Sequence, residues 1–135
     1  QKFMYIEKCA RSQILYGLYK TINFIKKAQR VFVTEAEKGV QQLYDKEYFE
    51  AVATGGSKIS KLQIDKLTRL CVSIIFVFDK DITKEELDDI ASMFIDGTEI
   101  YALIDTIGIL NEKESPTDDI SKFEQLLEKC IYRLK

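Results

Sequence analysis

Residues 72–78 read VSIIFVF, an apolar run broken only by Ser73. The run is far shorter than the roughly 18 residues a membrane span needs, and its β-branched content favours a strand over a helix. A strand apolar on both sides of its pleat must be covered on both faces. That places it at the centre of a parallel sheet with helices above and below. The flanking sequence agrees. VFVT (31–34), FEAVAT (49–54) and EIYALI (99–104) read as three further strands. Between them, EKGVQQLYDK (37–46), the stretch 58–70 and TKEELDDIASMF after Thr83 carry helical spacing, the last opening on a Thr83–Glu86 capping box. Residues 119–134 form a final helix with Phe123, Leu126, Leu127, Cys130 and Ile131 inward. One helix between each pair of strands is the mark of βαβ units. The expected fold is therefore α/β, with a four-stranded, mainly parallel sheet flanked by helices. An amphipathic helix at 10–28, carrying Ile14, Leu15, Leu18, Ile22 and Ile25, precedes it.

Composition narrows the chemistry. The 135 residues hold 20 Lys+Arg and 22 Asp+Glu, a net charge of −2, so no global basic signature marks a nucleic-acid partner. There is no histidine, which excludes Ser-His-Asp and Cys-His catalysis and imidazole-bound zinc. Cys9, Cys71 and Cys130 are dispersed, with no C-x-x-C. They read as reduced, small buried hydrophobes in a cytoplasmic protein. No signal peptide is visible, no membrane association is expected, and a start on Gln reads as a piece of a longer chain.

In open α/β sheets, ligands bind beyond the carboxyl ends of the strands. The first strand ends at Thr34-Glu35, the second at Thr54-Gly55-Gly56-Ser57, the third at Asp79-Lys80-Asp81 and the fourth at Asp105. Carboxylates converging on one edge, without His or Cys, suit a hard oxygen-liganded ion such as Mg²⁺ or Mn²⁺. Both aspartates of a D-x-D point the same way from an extended segment, and Lys80 between them points to the opposite side. The glycine turn is required by any tight strand-to-helix connection. Its amides, with Lys58, can also hold a phosphate at a helix N-terminus.

Glu35 closing VFVTEAEKGV, the glycine turn in VATGGSKIS and the D-x-D in IIFVFDKD together resemble the Toprim domain of DnaG-type primases, topoisomerases, nucleases and RecR-type proteins. The flanks, YIEKCARSQILYGLYKTINFIKKAQ and ATGGSKISKLQIDKL, are most similar to primases of phage or plasmid type. The resemblance covers nearly the whole chain, is strongest over 11–81, and divides it into a lead-in at 1–30 and a Toprim-like domain at 31–135. It implies that Glu35 is the motif glutamate and that Asp79 and Asp81 are metal-binding aspartates. Gly55, Gly56 and Ser57 match the intervening turn. Ala36 and Gly39 stand where the family often has Gly and Asp, and the small residues of D-G-D-x-A-G are missing. A D-P-D element after the fourth strand has its nearest counterpart in ESPTDD (114–119), with Asp118 the better match and Glu114 the second.

The resemblance implies half of a primase catalytic core, supporting metal-dependent nucleotidyl transfer for RNA primer synthesis on single-stranded DNA from ribonucleoside triphosphates. Lys61, Lys66 and Arg69 then meet template phosphates. A replicative helicase or other domains of the parent chain are the implied protein partners, in a bacterial or phage-infected cell. A Toprim nuclease or topoisomerase fragment and a non-catalytic RecR-like DNA-binding module are the rivals. A receiver-type phosphoacceptor domain fits poorly, since Glu35 and Glu37 make a weak acidic pair and no late strand-end lysine follows. None of the seven tyrosines stands in a context that marks a nucleophile.

Overall fold

The computed structural model describes residues 14–56 and 58–135. Cys9, the first residues of the expected lead-in helix and Ser57 lie outside the described residues.

The elements are α1 (Leu18–Ala28), β1 (Arg30–Thr34), α2 (Glu37–Asp45), β2 (Ala51–Ala53), α3 (Lys61–Arg69), β3 (Ser73–Val77), α4 (Lys84–Ser92), β4 (Ile100–Leu103), α5 (Ile120–Lys129) and β5 (Ile131–Arg133). The sheet order is β2-β1-β3-β4-β5. The first four strands run parallel, and β5 pairs antiparallel with β4. The α/β class and the parallel core are as expected, and the sheet carries a fifth strand at its edge.

Both faces of the central strands are covered, for the reason the apolar runs imply. Val31 and Val33 of β1, with Ile74 and Phe76 of β3, join a core that includes Ile25 of α1, Leu67 of α3 and Leu87 of α4. The alternate residues Phe32, Ile75 and Val77 join a second core with Val40 and Leu43 of α2 and Phe123 and Leu126 of α5. Strand side chains alternate with period two, so a wholly apolar strand feeds two cores at once. Helix starts follow the capping chemistry. Thr83 accepts from the Glu86 amide, and Ser60 and Gln63 form a reciprocal box on α3.

Four local readings need correction. The lead-in helix begins at Leu18, because Gly17 adopts φ 86° and turns the chain out of helical geometry. Before it, Tyr16 pairs antiparallel with Ala53, each residue's amide bonding the other's carbonyl. Tyr16 is thus an annex of the sheet, and its ring packs on the second core. Leu62, which the helical spacing over 58–70 turns inward with Ile59, Ile64, Leu67 and Leu70, is 51% exposed. Cys71 is exposed at φ 55°, although Cys130 is buried. The last helix stops at Lys129, and Ile131 belongs to β5. Among the described residues no helix is long and apolar enough to cross a membrane.

Candidate functional site

In the order β2-β1-β3-β4 the chain leaves β1 toward one side for β2 and leaves β3 toward the other side for β4. That reversal opens a crevice between the carboxyl ends of β1 and β3. Glu35 follows β1 and Asp79 lies two residues beyond β3, so the topology brings these two to one place. The contact is direct: the Asp79 amide donates to Glu35 Oε1 at 3.0 Å. The glycine turn after β2 arrives at the same edge, where the Gly55 amide donates to the Glu35 carbonyl at 2.8 Å. Gly55 sits at φ 86°, a conformation that favours glycine.

Glu35 titrates above its ordinary range. Burial is the main cause. The Asp79 amide opposes it, and the charges of Asp79, Asp81 and Glu86 push the same way as burial. Its cleft, about 60 Å³, is shared with Lys38, Gln42, Asp79 and Ser115. Asp79 also lines a wider shelf of about 620 Å³ with Asp81, Glu112 and Glu114. Lys80 lines the same shelf, and its ammonium donates to the Leu110 carbonyl at 3.3 Å.

The remaining acidic candidates are held differently. Asp105 accepts from the amides of Ile109 and Leu110 at 3.0 and 2.9 Å. Burial raises its pKa, but those amides outweigh burial and the net shift is downward. Glu114 is paired to Lys122 at 2.7 Å, which lowers its pKa. Asp118 takes the Gln42 side-chain amide on Oδ1 at 3.0 Å and the Ser115 amide on Oδ2 at 2.9 Å, and is lowered chiefly by Gln42. Ser115 and Thr117 flank Pro116, the only proline of the sequence.

No Lys or Arg among the described residues is ion-paired to Glu35, Asp79 or Asp81. The ion pairs go to Glu50, Asp96, Glu114 and Asp118. The donor set at the strand ends is all oxygen, and its carboxylates are in no ion pair among the described residues, which fits a hard divalent cation. As they stand, no three such groups among the described residues are gathered closely enough to hold an ion.

Gly39 has a packing reason. A Cβ there would lie 2.9 Å from Thr34 Cγ2, so the approach of α2 to β1 excludes a side chain four residues after Glu35. The α3 helix starts three residues later than expected, and Ser60 and Gln63 cap its first amides. Gly55, Gly56 and Lys58 therefore belong to a loop ahead of the helix. Lys61 and Arg69 are exposed on α3 and Lys66 is half-buried. Three residues at the edge were not singled out from sequence: Ser115, Gln42 and Glu86. Only Glu86 had a readable signal, its capping box. The contacts of the other two span 36 and 75 or more residues.

No family model matches the chain. Over 140 residues, 88% of this chain, it is 31% identical to the SPbeta prophage-derived uncharacterized protein YorJ of Bacillus subtilis (strain 168). The match takes in 36% of that protein, so the chain spans little more than a third of this curated relative. Solved structures agree on the fold. The Aquifex aeolicus primase (zinc binding and RNA polymerase domains) superposes with a TM-score of 0.73 at 18% identity, covering 91% of this chain and 31% of that one. A DNA primase domain from Pseudomonas aeruginosa gives 0.73 at 27%, covering 92% and 40%. The DnaG primase catalytic domain bound to ssDNA gives 0.68 at 23%, covering 92% and 40%. The chain has the fold of the Toprim region of DnaG-type primase catalytic cores.

Proposed function

We propose that this chain is the metal-binding Toprim part of a DNA primase of phage or plasmid type, supporting nucleotidyl transfer for RNA primer synthesis on single-stranded DNA. The observation that carries the reading is the meeting of Glu35 and Asp79 at the β1/β3 crevice, with no ion pair to either among the described residues, on a primase-like fold. Glu35, Asp79 and Asp81 would hold Mg²⁺ or Mn²⁺. Such an ion, when bound, supplies Lewis-acid neutralisation of phosphoryl oxygens and alignment of the reacting groups. Glu35, titrating high, is suited to hold or pass a proton beside the crevice. Gly56 and Lys58 offer an amide and a cation for triphosphate oxygens, while Lys61, Lys66 and Arg69 offer charge for the template backbone.

The prophage relative supports a phage-type setting. A primase neighbour with bound single-stranded DNA supports a DNA template as partner. The rest of the parent chain would dock where Ile14, Leu15, Tyr19 and Ile22 line an apolar groove of about 520 Å³, with Tyr19 fully exposed. In this reading the protein is cytoplasmic, and the 135-residue chain alone makes no primers.

The test is primer synthesis from ribonucleoside triphosphates on single-stranded DNA by the parent protein. Glu35→Gln and Asp79→Asn should each abolish it. Strand cleavage in place of synthesis, lost in the same variants, would transfer the site to a nuclease. DNA binding that survives with neither activity would support the RecR-like alternative.

A further inference from the structure

The loop between β4 and α5 is fastened at several points. Thr117 donates to Gln42 Oε1 at 2.7 Å, Gln42 in turn donates to Asp118, and Lys122 pairs with Glu114. One further contact reaches the strand-end carboxylates: Ser115 Oγ donates to Asp79 Oδ1 at 3.0 Å. No donor among the described residues reaches Asp79 Oδ2.

We infer that Ser115 is a positioning residue for Asp79, holding one carboxylate oxygen so that the other stays available to a divalent cation. The inference rests on the metal reading of the strand ends. The character of the donor argues for it. The loop's own carboxylates, Glu114 and Asp118, receive lysines, whereas Asp79 receives a neutral hydroxyl. A lysine there would compete with a cation by cancelling the charge that attracts it. A hydroxyl fixes the rotamer and leaves the charge in place, as outer-shell donors to metal ligands do. The loop needs no such bond to stay closed, since Gln42 already anchors it at Thr117 and Asp118.

The test is Mn²⁺ titration of the chain, with uptake read from the free-ion electron paramagnetic resonance signal and location from amide broadening. In the wild type, broadening should centre on residues 35 and 79 and vanish in Asp79→Asn. Ser115→Ala should weaken Mn²⁺ uptake by about 10- to 100-fold, and Ser115→Thr, which keeps the hydroxyl, should restore it. Should the alanine variant melt early, Ser115→Cys, close in size but a weak donor, takes its place. Unchanged affinity in a folded Ser115→Ala protein overturns the inference, as does equal loss in Ser115→Thr. Uptake that Asp79→Asn leaves intact overturns the metal assignment itself, which is a different result.

Discussion

Gln63 is the polar residue on which the glycine-turn side of the edge depends. It is 1% exposed, on a helix whose other inward positions are apolar. Its side-chain amide donates to the Thr54 carbonyl at 2.8 Å and to the Ile14 carbonyl at 2.9 Å, while its Oε1 accepts from the Ser60 amide at 2.9 Å. One side chain therefore joins the segment before α1, the end of β2 and the start of α3. Gln63→Leu keeps the volume and removes those bonds. The Thr54 carbonyl is left buried, at a cost of about 1–3 kcal/mol. The Ile14 carbonyl and Ser60 amide, partly reachable by water, add about 0.5–1.5 kcal/mol each. The sum is about 2–6 kcal/mol, a large share of the roughly 5–15 kcal/mol that holds a domain together.

At this chain length a kilocalorie shifts the melting temperature by about 3–4 °C, so Gln63→Leu should melt about 6–24 °C below wild type. Gln63→Glu sharpens the test. A carboxylate in the same place accepts from Ser60 but faces two carbonyl oxygens, which raises its pKa in the folded state. The variant should be least impaired below the ordinary carboxylate range, where a protonated Glu still donates one bond, and should weaken as pH rises through its raised pKa. Thermal melts between pH 4 and 8 read both effects. A Gln63→Leu protein melting within a degree or two of wild type would refute the reasoning. So would a Gln63→Glu deficit that does not change with pH.

The other predictions are briefer. Glu35→Gln keeps an acceptor for the Asp79 amide and removes a charge that burial and Asp79, Asp81 and Glu86 disfavour, so in chelator it should melt a few degrees higher than wild type at pH 7. Because the folded-state pKa of Glu35 is raised, that gap should close below the ordinary Glu range and open as pH rises; a lower-melting variant at pH 7 contradicts it. On α1, Ile25 is fully buried and Leu18 half-buried, so Ile25→Ala should cost about 2–5 kcal/mol and Leu18→Ala less. Tyr19→Ala, at 99% exposure, should stay within about 0.5 kcal/mol, all read by denaturant melts. Gly39→Ala should destabilise by about 1–3 kcal/mol despite alanine's helix propensity, because Thr34 is buried and cannot yield. A stabilised variant would mean the helix can lift.

What could be read in the sequence follows how local the cause is. The run at 72–78 needed no partner to declare a central strand, and Thr83–Glu86 declared its own helix start. The limits of the reading lie where helical spacing continues through a break made by distant contacts. Ile131 falls four residues after Leu127, in register with the inward face of α5, yet Cys130 ends the helix and the chain turns to pair with β4. Ile14 and Leu15 likewise continue the apolar stripe of α1, and only the backbone of Gly17 reveals that Tyr16 joins the sheet instead. Gln63 was hidden because a polar residue on a helix reads as solvent-facing, although Ser60-x-x-Gln63 is a legible capping box. At the edge, strand ends located Glu35 and Asp79 correctly because topology alone brings them together. Ser115 and Gln42 act across loops whose course no local pattern fixes.

The acids at this edge fall into two groups by what the fold does to them. Asp105, Glu114 and Asp118 each sit among donors that favour the ionised form, and each is shifted downward. Glu35 is shifted upward, with like charges around it and no ion pair to it among the described residues. At Asp105 and Asp118 both carboxylate oxygens already accept hydrogen bonds, and Glu114 is paired with Lys122, so a divalent ion there would displace a bond or compete with a cation. At Glu35 and Asp79 it would relieve a repulsion that the folded chain carries. On the metal reading proposed above, the ion would therefore enter at the β1/β3 crevice, while Asp118 holds the turn that carries Ser115.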